Sequence, residues 1–214
     1  MKPLPSPLLV ITDRHQARHS IEAITEAVGQ AGGRWLMLRD KDLEPEPRRA
    51  LAARLAEVAR RYGMHLSVNR EVALAAEYGA SAHLQSGAAV GAARRRLGPG
   101  ALIGVSAHSL DDVAAAAAAG ADYVTLSPIF LTSSKPGYGP ALGVAAIGPA
   151  ASLGISVIAL GGVTADLARP CLAAGAAGVA VMGEIMRSDD PGRSVGLLLD
   201  ACKAAAAAAS WTGG

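Results

Sequence analysis

Eight short runs of β-forming apolar residues recur along the chain, each followed by a longer stretch with helical patterning. The runs cover residues 8–12, 35–39, 65–69, 82–84, 102–105, 123–126, 156–160 and 178–182. Their starts recur about every 24 residues, the length of one strand–helix unit. The helical stretches are 20–31, 46–62, 71–78, 89–97, 110–119, 144–152, 165–174 and 192–209. Gly32, Gly63, Gly79, Gly98, Gly120, Gly154 and Gly175 follow seven of them, as helix C-termini favour. Strands apolar on both faces belong to a parallel sheet covered by helices. Eight such units close into a (β/α)8 TIM barrel, and 214 residues sit near the lower size limit of that fold, about 200. The competing architecture is an open doubly wound sheet, but no G-x-G-x-x-G turn follows the first run. No linker interrupts the pattern, so residues 1–214 read as one TIM-barrel domain.

Composition narrows the function classes. Hydrophobic residues make up 51% and charged residues 18%, which excludes a disordered chain. Aromatics are only 3%, so the core is expected to be Ala, Val, Leu and Ile. The net charge of +2 comes without a basic run interleaved with aromatics, so no nucleic-acid partner is expected. Residues 136–165 carry no charge but are broken by Gly and Pro, so they make no membrane span. Cys171 and Cys202 form no metal or redox motif. A cytoplasmic protein is the expectation.

Active sites of such barrels lie at the C-terminal ends of the strands. Reading past each run in turn gives Thr12 and Asp13; Arg39, Asp40 and Lys41; Asn69 and Arg70; His83 and Gln85; Ser106 and His108; Ser127, Thr132, Ser134 and Lys135; Gly161 and Gly162; Met182 and Gly183. Polar residues follow strands in any protein, which accounts for Thr12 and Asp13. It accounts less well for Arg39, Lys41, Arg70 and Lys135 converging on one rim, which calls for an anion. Gly161-Gly162 lets backbone N–H groups approach a phosphate with no Cβ in the way, and Thr164 is placed to cap the next helix. Thr132 and Ser134 offer hydroxyl donors and Lys135 a point charge. His108 precedes Ser109, a helix N-cap candidate with Asp111 and Asp112 in the first turn. A lone His at a helix start is more often structural, yet this rim has few other general bases. Asp13 is the competing acid–base group. No carboxylate pair has the setting of a Mg²⁺ site, because Asp40 and Asp42 flank Lys41 and Arg70 precedes Glu71.

In this order the motifs Leu9-Val10-Ile11-Thr12-Asp13, Leu38-Arg39-Asp40-Lys41, Val68-Asn69, His83-Leu84, Gly104-Val105-Ser106-Ala107-His108-Ser109, Ser127-Pro128-Ile129-Phe130 and Ala159-Leu160-Gly161-Gly162-Val163 resemble the thiamine phosphate synthase and thiazole tautomerase superfamily. The resemblance covers nearly the whole chain and implies the barrel. Synthases of this kind couple a diphosphorylated aminopyrimidine to a phosphorylated thiazole, with Mg²⁺ on two aspartates. Those positions here are Arg70 and Ala88, and Met37 stands where a Gln is usual. The resemblance therefore points to the tautomerase branch, a metal-independent isomerase of thiamine biosynthesis. Such an enzyme shifts a proton in a carboxylated thiazole phosphate to give the aromatic ring.

The residues assigned on that reading are His108 for proton transfer, Arg39, Lys41, Asn69, Ser106 and Lys135 for substrate, and Thr132, Ser134, Gly161, Gly162, Met182 and Gly183 for phosphate. No cofactor is expected, Mg²⁺ entering only if the synthase alternative holds. The expected partner is a phosphorylated thiazole, and the resemblance implies a homodimer. A second alternative is a non-catalytic barrel that binds a thiazole phosphate.

Overall fold

The computed structural model describes residues 1–132 and 140–211. Its centre is a closed barrel of eight parallel strands: β1 (Leu8–Ile11), β2 (Trp35–Leu38), β3 (His65–Asn69), β4 (Ser81–Leu84), β5 (Ile103–Ala107), β6 (Tyr123–Leu126), β7 (Ser156–Leu160) and β8 (Gly178–Val181). Every neighbour pair is parallel, and β1 pairs with β8 through Leu9 and Ala180 to close the ring. The chain is a (β/α)8 TIM barrel. The helices between and after the strands are α1 (Ile21–Gln30), α2 (Pro45–Arg61), α3 (Val72–Glu77), α4 (Val90–Leu97), α5 (Leu110–Ala118), α6 (Ile147–Ala151), α7 (Ala165–Ala173), α8 (Gly183–Met186) and α9 (Pro191–Trp211). Among the described residues no helix is long and apolar enough to cross a membrane.

Local chemistry sets the helix starts. Ser20 accepts the Ala23 N–H at 3.2 Å at the head of α1, and Pro45 opens α2, where its missing N–H is not needed. Ile21, Ile24 and Val28 then fall on one face of α1 and bury against the sheet. The short α8 was not legible as a helix. Ile185 and Met186 are fully buried, and tucking both inward winds one turn, with Met186 N–H donating to Met182 O at 2.9 Å.

Strand alternation divides the core in two. Leu8, Val10, Leu36 and Leu38 face the helices, while Leu9, Ile11, Trp35 and Met37 fill the barrel interior. The interior departs from the aliphatic core expected from composition. Trp35 and Tyr123 meet edge to face with centroids 4.9 Å apart, and both are fully buried. Gly104 makes room for them, since a Cβ there would lie 2.1 Å from the Tyr123 ring. Above this layer sits a buried polar one. Trp35 Nε1 donates to Ser67 Oγ at 3.0 Å, and His83 bridges the Tyr123 hydroxyl at 3.1 Å and Ser106 Oγ at 3.1 Å. The mouth of the barrel lies directly above.

Candidate functional site

The strand ends place most of the expected residues on one rim, with two shifts. Asn69 closes β3 as its run predicts, but Ser106 belongs to β5 itself, not to the loop beyond it. His83 is not a rim residue at all, being buried in the polar layer. Burial pushes its imidazole down to about 3, so it stays neutral and orients Ser106.

At the β1–β2 edge, Thr12 Oγ1 donates to Asp40 Oδ2 at 2.6 Å and accepts the Arg39 N–H at 3.0 Å. This fixes the backbone that carries Arg39. The Arg39 guanidinium turns inward, 3.7 Å from Asp13 Oδ2 and 3.6 Å from Met182 Sδ. Lys41 is exposed and outside the cavity that Arg39 lines. On the outer side Arg14 and His15 both contact Asp42, holding its carboxyl well below the usual carboxylate range.

A cavity of about 250 Å³ opens between the ends of β6, β7 and β8. Of the expected residues, Arg39, Thr132, Gly161, Gly162, Met182 and Gly183 line it together. Ser134 and Lys135 lie outside the described residues. The glycine pair has a packing cause beside the phosphate approach expected of it. Gly161 and Gly162 have φ of 98° and 64°, in the left-handed region. A Cβ on Gly161 would meet Pro128 Cα at 2.8 Å, and one on Gly162 would meet Leu131 O at 2.5 Å. The missing side chains therefore let the β6 loop close over the β7 turn, with Phe130 N–H donating to Gly161 O at 3.0 Å. Among the described residues no acceptor pairs with the backbone N–H of Gly162 or Gly183, which leaves donors at the cavity wall. Thr164 takes the N-cap position of α7, but its side chain makes no capping bond and lines the cavity instead.

His108 stands exposed at the end of β5. Its Nδ1 is 2.8 Å from the Ser127 carbonyl, which only accepts, so in the neutral ring Nδ1 carries the proton and Nε2 is the basic nitrogen. Ser109 caps α5 as expected, accepting the Asp112 N–H at 3.1 Å. Strand-end reading missed Arg187, which also lines the cavity from the end of α8. Its i, i+4 spacing from Gly183 was the available signal.

The β3–β4 rim does not fit a divalent cation. Arg70, at φ 69°, stands beside Gln85, at a position where the resemblance calls for a carboxylate. Ala88 lies exposed in a single 3-10 turn, Gly87–Ala89. Among the described residues no group of three or more His, Cys, Asp or Glu is placed to hold a metal.

Residues 8–185 match the family model described as thiamine monophosphate synthase. The chain is 42% identical to the "Thiamine biosynthesis bifunctional protein ThiM/ThiE" of Symbiobacterium thermophilum, over 83% of its own length and 38% of that longer protein. It is 37% identical to the "Thiamine-phosphate synthase" of Methanoculleus marisnigri, over 94% of this chain and 97% of the relative. The solved structure of "Thiamine phosphate pyrophosphorylase from Pyrococcus furiosus" superimposes with a TM-score of 0.80 at 25% identity, over 92% of this chain and 96% of that one. These findings overturn the tautomerase expectation and its isomerase class, since the full-length relatives carry the name of a synthase, a transferase. The tautomerase expectation rests on Arg70, Ala88 and Met37, whereas the likeness to the synthases extends over residues 8–185. By its match over residues 8–185 and its near full-length relatives, the chain belongs to the thiamine monophosphate synthase family.

Proposed function

We propose that the chain is a thiamine-phosphate synthase, joining a diphosphorylated aminopyrimidine to a phosphorylated thiazole with release of diphosphate. The observation that carries the reading is the cavity at the ends of β6, β7 and β8. Glycine backbone donors, Thr132 and inward-turned Arg39 meet there in a space the size of one small phosphate ester. The thiazole phosphate sits in this cavity against Gly161, Gly162, Met182, Gly183 and Thr132, and Ser134 is assigned to it from the sequence alone. The aminopyrimidine lies over the centre of the barrel, near Asn69 and Ser106. His108, with Nδ1 tied to the Ser127 carbonyl, offers Nε2 to the pyrimidine amino group or to a proton in transit.

The diphosphate lies toward Arg70 and Lys41, and Lys135 is assigned to it from the sequence alone. A guanidinium stands there in place of a carboxylate pair, so side-chain cations meet the leaving group's charge. One barrel domain spanning residues 1–214, a cytoplasmic location and a homodimer complete the reading. The test is to incubate the purified chain with both substrates, with and without EDTA, and to follow thiamine phosphate by mass spectrometry together with diphosphate release. Stoichiometric product and diphosphate are expected, persisting in EDTA. No product under either condition refutes the synthase reading. Product only in the presence of Mg²⁺ refutes the cationic diphosphate site.

A further inference from the structure

Gly183 opens α8 at the cavity wall, and Arg187 lies four residues further on. Side chains on a helix lean back over the preceding turn, so the residue at i+4 covers the one at i. Here the fit is close. A Cβ on Gly183 would lie 2.2 Å from Arg187 Nη1, 2.5 Å from Nη2 and 2.6 Å from Cζ. The guanidinium thus occupies the space where a side chain at position 183 would begin. It lines the same cavity as Gly162 and Thr164.

Its orientation is set from the far side. Arg187 Nη1 donates to Gln16 Oε1, and Gln16 Nε2 donates to Asp13 Oδ2 at 2.8 Å. The same Asp13 oxygen faces the Arg39 guanidinium at 3.7 Å. Two guanidinium groups therefore flank one cavity, coupled through Gln16 and Asp13. Glu184, exposed on the same wall, is a like charge to any anion that enters and makes the second cation more important.

We propose that Arg187 is a phosphate-binding residue of this cavity, seated there by the absence of a side chain at Gly183, and that its ligand is a phosphate monoester. The planar fork of a guanidinium matches two oxygens of one phosphate. The proposal rests on reading the cavity as a phosphate pocket, but not on the condensation of two substrates.

The experiment titrates inorganic phosphate by calorimetry at low salt into the wild type, Arg187→Ala, Gly183→Ala and the double variant, after circular dichroism confirms folding. Arg187→Ala is expected to weaken phosphate about tenfold, the scale of one charge-assisted contact at a partly solvated site. Gly183→Ala keeps its backbone N–H and displaces only the tip of a flexible side chain, so it should weaken phosphate by a similar factor. The double variant should be no weaker than Arg187→Ala alone. Unchanged affinity in Arg187→Ala overturns the proposal, as do single effects that multiply in the double variant. A wild type that takes up no phosphate removes both the pocket and the proposal. Arg187-dependent phosphate uptake without turnover of the two synthase substrates removes the synthase reading and leaves this proposal standing.

Discussion

Replacing Gly162 by alanine separates two costs that the structure assigns to this position. The first is conformational: at φ 64° a side chain enters the left-handed region, which costs about 1–2 kcal/mol. The second is collision. The new Cβ would lie 2.5 Å from Leu131 O and 2.8 Å from Phe130 Cβ, so the β6 loop must give way, at about 1–3 kcal/mol for an overpacked contact. Together these predict a loss of roughly 2–5 kcal/mol. Gly63 supplies the control. Its φ is 60°, and a Cβ there would meet nothing within 4 Å, so Gly63→Ala should show the conformational cost alone. Urea unfolding of both variants measures the difference, provided the m-values stay equal. Leu131 and Thr132 line the cavity, so the same displacement should weaken inorganic phosphate in Gly162→Ala and not in Gly63→Ala. Equal destabilisation of the two variants, or full phosphate affinity in Gly162→Ala, would refute the account of why the glycine is there.

Burial holds the His83 imidazole down at about 3, against about 6.5 in the unfolded chain. The unfolded state alone takes the proton between these values, so stability is fully present above about pH 6.5. It falls by up to about 1.4 kcal/mol per unit below that. The slope, read from urea unfolding at about pH 5 and about pH 7, should flatten in His83→Gln. Ser109→Ala removes the cap that accepts the Asp112 N–H and should cost about 1 kcal/mol in the same assay. Cys171 and Cys202 are buried, with thiols pushed up to about 11, so a thiol reagent should label the native protein far more slowly than the urea-unfolded chain.

The barrel was legible because its signal is redundant. Eight strand–helix units repeat the same alternation, and an error of one or two residues at a boundary changes nothing in the topology. β5 shows the limit: Ser106 and Ala107 look like the start of a loop, yet Ser106 pairs with Thr125 and continues the strand. Residues that act by position in three dimensions were harder to read. His83 ends an apolar run in sequence, but only the closed barrel reveals that Tyr123 and Ser106 enclose it. Gly161 and Gly162 stand out in sequence as a pair after a strand, but the β6 loop packed against them involves residues some thirty positions away. Arg187 escaped because it lies beyond a strand end by a helical turn that is itself driven by the burial of Ile185 and Met186. The activity class was hard to read for a related reason: Arg70, Ala88 and Met37 are a few positions, while the likeness to the synthases is spread over residues 8–185.

A crystal structure of the chain soaked with the phosphorylated thiazole locates the phosphate directly. Phosphate density is expected in the cavity between β6, β7 and β8, within hydrogen-bond distance of the Gly162 and Gly183 N–H groups, with the thiazole ring pointing toward the barrel centre. Phosphate density on the β3–β4 rim beside Arg70 and Gln85, with the cavity empty of ligand, would contradict this placement.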